Sequence, residues 1–230
     1  MSTEASKTRS GRRRRSVSSV LPSNRSVNYH DLSNPFPPME VFSADQVAAI
    51  HETSLRTLEE LGMRVLLPEA IEIYRKGGAR VVDDMVYIGR DMVKAALKTA
   101  PKSIQGRAGA RAKDLTFELG CMIFQPGAGA PHATDLVRGR RPASAADYIE
   151  YTKLNQHFDV LQMLSPSVEP QDVTTNVRHY FTTEAQLTLS NKFPFVFSRG
   201  TPQVIDCFEM LRDFRGVSDA EFAANPYCYT

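Results

Sequence analysis

The chain has 230 residues, 42% of them hydrophobic and 23% charged, with a net charge of +2, which is enough apolar material for one large domain or two small ones. It contains no run of about 18 apolar residues, which excludes a membrane-spanning helix. Lys7, Arg9, Arg12, Arg13, Arg14, Arg15 and Arg25 against Glu4 give residues 1–26 a charge of +6, leaving −4 for the rest and no case for a nucleic-acid-binding body.

Residues 1–33 are polar, rich in Ser and Arg and without periodicity, which predicts a disordered basic tail. No apolar stretch follows Arg12–Arg15, so an export signal is not expected; a mitochondrial presequence fits the composition better, and a solvated tail best. Asn34-Pro-Phe-Pro-Pro38 is a stiff lead-in. Ser43 and Gln46 have the spacing of a capping box. Val47, Ile50, Ser54, Leu58 and Leu61 then share one face of a helix that Gly62 ends. Pro68 opens a second helix, to Gly77-Gly78. Val81-Val82 and Met85–Ile88 flank Asp83-Asp84 as a hairpin, and a third helix spans about Arg90–Thr99. Asp114–Glu118 and Cys121–Phe124 read as short strands on either side of Gly120. Residues 34–157 are therefore expected to form a cap of helices, short β-hairpins and a loop region.

The loop, Gln125–Ser144, holds three glycines, three prolines and three arginines. Such demand for special backbone geometry predicts a fixed loop rather than a linker. Gly127-Ala-Gly-Ala lacks the trailing G-K-[ST] of a phosphate loop. Asp135 with Arg138–Arg141 reads either as an anion- or partner-docking surface or, preferably, as internal pairing that pins the loop; His132 reads as a hydrogen-bonded loop histidine. Ser144, with Asp147 three residues on, caps a helix to about Gln156.

The pattern then changes to strand and helix in alternation. Phe158–Leu164 reads as a buried strand, Asp172 as the cap of a helix to Asn191, and Phe193–Ser198 as a second strand. Thr201-Pro202 starts a helix stopped by Gly216, Ser218 with Glu221 caps a short one, and Tyr227–Thr230 begins a third strand. Strand starts at 158, 193 and 227 are 35 and 34 residues apart, close to the roughly 30 residues per unit of a TIM-type (β/α)8 barrel. The predicted fold is α/β, with residues 158–230 as the first units of a barrel left incomplete in this chain. Two and a half strands would leave apolar faces bare, which suggests the N-terminal part of a longer protein or a truncated product.

Cys121, Cys207 and Cys228 are far apart and lack a C-x-x-C pair, so free thiols in a reducing cytoplasmic compartment are expected. His30, His51, His132, His157 and His179 show no H-E-x-x-H spacing, and no metal site is predicted.

Five ordered segments carry a resemblance: the basic tail with Asn34-Pro-Phe36; Ile50-His-Glu52 and Leu58-Glu-Glu-Leu-Gly62; Gly78-Ala-Arg-Val81 with the hairpin and Ala100-Pro101; Pro131-His-Ala-Thr-Asp-Leu-Val-Arg-Gly-Arg-Arg-Pro-Ala143; and Val168-Glu-Pro-Gln-Asp-Val173. In that order and spacing the chain resembles the trimethylamine methyltransferase family, including members that act on quaternary amines such as glycine betaine. The resemblance implies a TIM-type barrel with N-terminal additions. It implies transfer of a methyl group from a small methylated amine to a corrinoid that is carried on a partner protein rather than bound directly. Some relatives use pyrrolysine at a position beyond residue 230, so the catalytic residues are not assigned. Neither nucleic acid nor a membrane is an expected partner; a homo-oligomer is. The 230-residue chain on its own is expected to have no turnover, and the alternative reading is a catalytically inactive truncated remnant that only binds partners.

Barrel chemistry sits at the C-terminal ends of strands, here Ser165–Gln171, Ser198–Gly200 and Tyr229-Thr230. For a quaternary amine, Glu169 could balance the positive charge, Arg199 could pair with a betaine carboxylate and Tyr229 could form part of an aromatic wall. The plainer readings are a loop salt bridge for Glu169 and Arg199, and barrel core for Tyr229.

Overall fold

A computed structural model describes residues 33–37 and 39–230; the predicted basic tail lies outside the described residues except for Ser33. Helix α1 (Ala44–Arg56) starts at the predicted capping box, with the Ser43 and Gln46 side chains each bonding the other's backbone N–H. It runs on through a π turn, Thr57–Leu61, to Gly62. At φ 73°, a Cβ on Gly62 would stand 2.8 Å from the Val86 carbonyl oxygen, so only glycine fits. The predicted apolar face differs in detail: Val47 and Ile50 are each 54% exposed, and Leu55 is the buried residue of α1.

Helix α2 (Pro68–Lys76) has proline in its first turn, and α3 spans Arg90–Thr99. The predicted hairpin is β2 (Arg80–Val82) with β3 (Met85–Tyr87), and β1 (Met63–Arg64) adds to the other side of β3. Strand β4 (Ser103–Gly106), which sequence reading missed, pairs antiparallel with β5 (Leu115–Glu118). The expected strand Cys121–Phe124 is reduced to one bridge, Cys121 to Ser33. The Gly- and Arg-rich stretch is not merely a loop: β6 (His132–Asp135) and β7 (Gly139–Pro142) form an antiparallel hairpin within it.

Helix α4 (Ala145–His157) carries the predicted cap, a full capping box of Ser144 and Asp147. The next helix corrects the expected start. Asp172 instead accepts a bond from the Ala145 N–H at the start of α4, and α5 spans Arg178–Leu189 with no side-chain cap. Helices α6 (Thr201–Arg215) and α7 (Asp219–Ala224) follow as expected, α6 closing on Gly216 in the left-handed conformation.

Between these helices, three chain segments lie side by side in parallel through single bridges, Met163 to Phe193 and Phe195 to Tyr229. The Leu164 N–H donates to the Phe193 carbonyl at 2.9 Å and the Val196 N–H to that of Tyr229 at 2.8 Å. The predicted strands 158–164, 193–198 and 227–230 are thus present as parallel contacts rather than as ladders. Pro194 offers no N–H to a ladder, and glutamine side chains take the place of strand neighbours. Gln186 bonds both the N–H and the carbonyl of Phe195, and the Gln162 side chain accepts from the Phe124 N–H. The molecule is therefore a mixed α/β structure with three small antiparallel sheets, and no closed barrel exists among the described residues. No described helix is long and apolar enough to cross a membrane.

Three apolar clusters hold the C-terminal half together. One joins the β6–β7 hairpin to α4 and α5 through Ala133, Ala143, Tyr148, Val168 and Ala185. A second joins α5 to α6 through Leu187, Val196, Cys207, Leu211 and Tyr227, and the third gathers Ala108, Leu115, Met163 and Phe193.

Lys192, 1% exposed, ties the start of the second parallel segment to the end of α4. Its ammonium group donates to the Asn155 carbonyl and, at 2.8 Å, to that of Phe158. Burial pulls its pKa down to about 8. The folded value lies below the unfolded one, so between about pH 8 and pH 10.5 the unfolded chain holds more protons and this group's contribution to stability rises with pH. Lys192→Met should cost about 1–3 kcal/mol by stranding two carbonyls. In urea unfolding the wild-type-minus-variant stability difference should rise between about pH 7 and pH 10; a flat difference would mean that the lysine titrates alike in the folded and unfolded chain.

Candidate functional site

The C-terminal ends of the parallel segments meet the start of α5 around a cavity of about 230 Å³ lined by Glu169, Arg178, His179, Phe197, Arg199 and neighbouring residues. Glu169 follows the first segment and is only 12% exposed at its side chain. Its position is fixed by its own backbone, whose N–H donates to the Ala130 carbonyl at 2.8 Å. Gly129 stands beside it at φ 75°, and a Cβ there would lie 3.6 Å from Glu169 Oε1. The Gly-rich stretch therefore packs against the Glu169 carboxylate.

Two guanidinium groups grip the Glu169 carboxylate. Arg199, from the turn after the second segment, donates through Nη2 to Oε1 and through Nη1 to Oε2 at 3.2 Å. Arg178, the first residue of α5, donates to Oε2 at 3.3 Å and anchors itself on the Val173 carbonyl through Nε and Nη2. The Arg199 guanidinium also sits 4.1 Å over the Phe197 ring. Two cations against one anion leave this part of the cavity with an excess of positive charge, held where water is partly excluded.

His179 lines the same cavity. Its Nε2 lies 2.8 Å from Asp206 Oδ2 on α6, and its buried Nδ1 has no hydrogen-bond partner. The Tyr180 hydroxyl, then His179, hold the Asp206 carboxyl below its ordinary range.

The sequence-predicted site residues are only partly brought together. Glu169 and Arg199 meet directly, in the salt bridge expected on the plainer reading. Tyr229 does not line the cavity. Its hydroxyl donates to the Leu164 carbonyl at 2.6 Å, and its ring stacks on Phe193 and meets Phe195 edge-on. Burial raises its pKa further. Phe195 in turn contacts Phe197, so Tyr229 supports the aromatic wall from behind. Arg178, His179 and Phe197 were missed; the Arg-His pair opening α5 was the one available signal.

Asp135 and its arginines pair internally, as the preferred reading held. Arg138 and Arg141 both reach Asp135 at 2.8 Å, Arg138 also reaches Glu150 at 2.7 Å, and Arg141 bonds the buried Asp147. His132 is hydrogen-bonded as expected, its Nδ1 3.2 Å from Arg140 Nη2, although it lies on a strand. Among the described residues no group of three or more His, Cys, Asp or Glu side chains is placed to hold a metal ion.

The model of the trimethylamine methyltransferase family matches residues 6–230. A glycine betaine methyltransferase of Desulfitobacterium hafniense (strain Y51) is 29% identical over 188 residues, 80% of this chain and 38% of that protein. A proline betaine:corrinoid methyltransferase of Eubacterium limosum is 33% identical over 132 residues, 54% of this chain and 26% of that protein. A trimethylamine methyltransferase of Desulfitobacterium hafniense (strain DSM 10664 / DCB-2) is 26% identical over 171 residues, 69% of this chain and 33% of that protein. The chain spans roughly a quarter to two fifths of the length of these relatives.

Proposed function

The chain belongs to the trimethylamine methyltransferase family, and from that premise we propose that the protein takes part in moving a methyl group from a methylated amine to a corrinoid carried on a separate protein. The proposed donor is a quaternary amine that also bears a carboxylate, as glycine betaine does. The observation that carries this reading is the Arg178–Glu169–Arg199 cluster in one cavity.

A quaternary nitrogen has no N–H to donate, so it is held by charge and by aromatic faces. Glu169 supplies the charge and Phe197 the face. A bare cation would meet one carboxylate against two guanidinium groups; a zwitterion satisfies both signs. Its ammonium end takes the place of Arg199 on Glu169, and its carboxylate takes the freed Arg199 fork, whose planar donors match two carboxylate oxygens. Arg178 keeps Glu169 in position during that exchange.

A corrinoid would supply the low-valent cobalt that accepts the methyl group. The partner-borne corrinoid follows from the resemblance, and relatives named as corrinoid methyltransferases support it. The chain's own work is then to bind, orient and desolvate the donor. We read residues 34–157 as a cap and residues 158–230 as the opening units of a TIM-type barrel, supported by the parallel bridges from Met163 to Phe193 and from Phe195 to Tyr229.

The test, made with the full-length protein, is methyl transfer to cob(I)alamin, followed by the spectrum of methylcobalamin, with glycine betaine, proline betaine, trimethylamine and tetramethylammonium as donors. Turnover with the carboxylate-bearing donors, at least about tenfold better than with tetramethylammonium, is expected for one well-placed charged pair. Equal turnover of all four, or of none, overturns the reading.

A further inference from the structure

A second basin lies where the parallel segments begin, away from the Glu169 cavity at their C-terminal ends. It has a volume of about 390 Å³ and is walled by the Arg107–Asp114 loop, the end of α6 and α7. Three guanidinium groups, from Arg107, Arg111 and Arg215, face two carboxylates, Asp114 and Glu221.

The carboxylates are already engaged. Asp114 accepts the Ala108 N–H at 2.8 Å and Arg107 at 3.1 Å, and Glu221 accepts the Tyr227 hydroxyl at 3.0 Å. Arg107 also reaches Asn225 at 3.3 Å, and its backbone N–H donates to the Pro226 carbonyl. Among the described residues neither Arg111 nor Arg215 forms a salt bridge. Arg215 carries the clearest sign of an unmet need: its Nε is buried without a hydrogen-bond partner. Burial works against its charge, with only longer-range help from Tyr227 and Asp114.

The backbone makes room for this group. A Cβ on Gly109 would stand 2.9 Å from Arg215 Nη1 and 2.6 Å from Asn191 Cα, so the absence of a side chain there lets the guanidinium lie against the loop. A buried donor without an acceptor is costly, and the basin as a whole carries one positive charge in excess.

We propose that this basin binds a small oxyanion of the phosphate class, held between the Arg111 and Arg215 guanidinium groups with Arg107 at its edge. Guanidinium forks match tetrahedral oxyanions geometrically, and the anion would offset both the excess charge of the basin and the burial that works against the Arg215 charge. The proposal is independent of the methyl-transfer reading, because the basin shares no residue with the Glu169 cavity.

Calorimetric titration of the protein with inorganic phosphate, at constant ionic strength against chloride, tests it. Saturable one-site binding is expected, at least tenfold weaker in both Arg111→Ala and Arg215→Met. Glu221→Gln, which removes a negative charge from the wall, should tighten binding. Circular dichroism establishes folding of Arg215→Met. Arg111 is exposed, so Arg111→Ala keeps the test decisive should the other variant not fold. Absence of saturable binding, or an affinity unchanged by Arg111→Ala, overturns the proposal.

Discussion

Replacing Arg141 with methionine is expected to lower the unfolding free energy clearly, because it takes the nearest cation from a buried carboxylate. Asp147 is 2% exposed, and it is bound twice over. One oxygen takes the Arg141 guanidinium; the other accepts the Ser144 N–H at 3.0 Å and the Ser144 hydroxyl at 2.9 Å. Arg141 simultaneously bridges to Asp135 on β6, so one guanidinium joins the hairpin to the first turn of α4. Without it, Asp147 keeps its Ser144 bonds, and its remaining cation is the more distant Arg138, at 3.4 Å. Methionine preserves the apolar stem, so the loss reports the charge.

Burial tends to raise the Asp147 carboxyl, but the Arg141 bond and then Ser144 outweigh it and hold the group below its ordinary value. The folded value is depressed, so this stabilisation is present above the unfolded pKa, near 4, and is lost as pH falls through the folded one. Urea unfolding at pH 7 should show the full Arg141→Met penalty, and at pH 3 a smaller one. The double variant Arg141→Met with Asp147→Asn should recover at least half of it, because no buried charge is left unpaired. A penalty below about 1 kcal/mol would place the pair among ordinary surface bridges.

This network was legible in outline. The Ser144–Asp147 spacing announced the cap, and the Arg-Gly-Arg-Arg run beside Asp135 announced internal pairing. The hairpin around them was not, because Leu136 and Val137 sit at its exposed tip and Pro142 ends it, so no alternation marks the strands. Helix starts at Ser43, Pro68, Ser144 and Thr201 were readable because a capping side chain, at the two serines, and a first-turn proline, at the other two, are local devices. Asp172 has the same local signature yet caps nothing of its own, its carboxylate being drawn to Ala145, 27 residues earlier in the chain. The parallel segments were recognised from their apolar runs, but not their brevity as ladders. Gln162 and Gln186 replace sheet hydrogen bonds with side-chain ones, and nothing in a linear pattern reveals which amide will do so. At the cavity, Glu169 and Arg199 could be named from their places after apolar runs. Arg178 could not, since the helix it opens was expected to begin at Asp172.

Glu169→Gln is expected to lower kcat/KM for methyl transfer from glycine betaine by about 10²–10³-fold, the 3–4 kcal/mol typical of removing a charged partner from a partly dehydrated site. Glutamine keeps the shape and hydrogen-bonding reach of the side chain but not its charge, and a quaternary ammonium can be held only by charge and ring faces. The change also leaves Arg178 and Arg199 facing each other without their anion, so the cavity becomes repulsive to a cation. Arg199→Gln makes the complementary test. It spares the carboxylate that holds the ammonium end and removes the fork for the betaine carboxylate. KM for glycine betaine should rise by about tenfold or more while transfer from tetramethylammonium holds or improves. Thermal unfolding of both variants separates binding from support. If Glu169→Gln lowers Tm yet retains kcat/KM within about threefold, a change worth less than 1 kcal/mol, Glu169 pins the loop after the first parallel segment and the donor is held elsewhere. If activity falls while Tm moves little, the carboxylate that Arg178 and Arg199 guard is the one that meets the substrate.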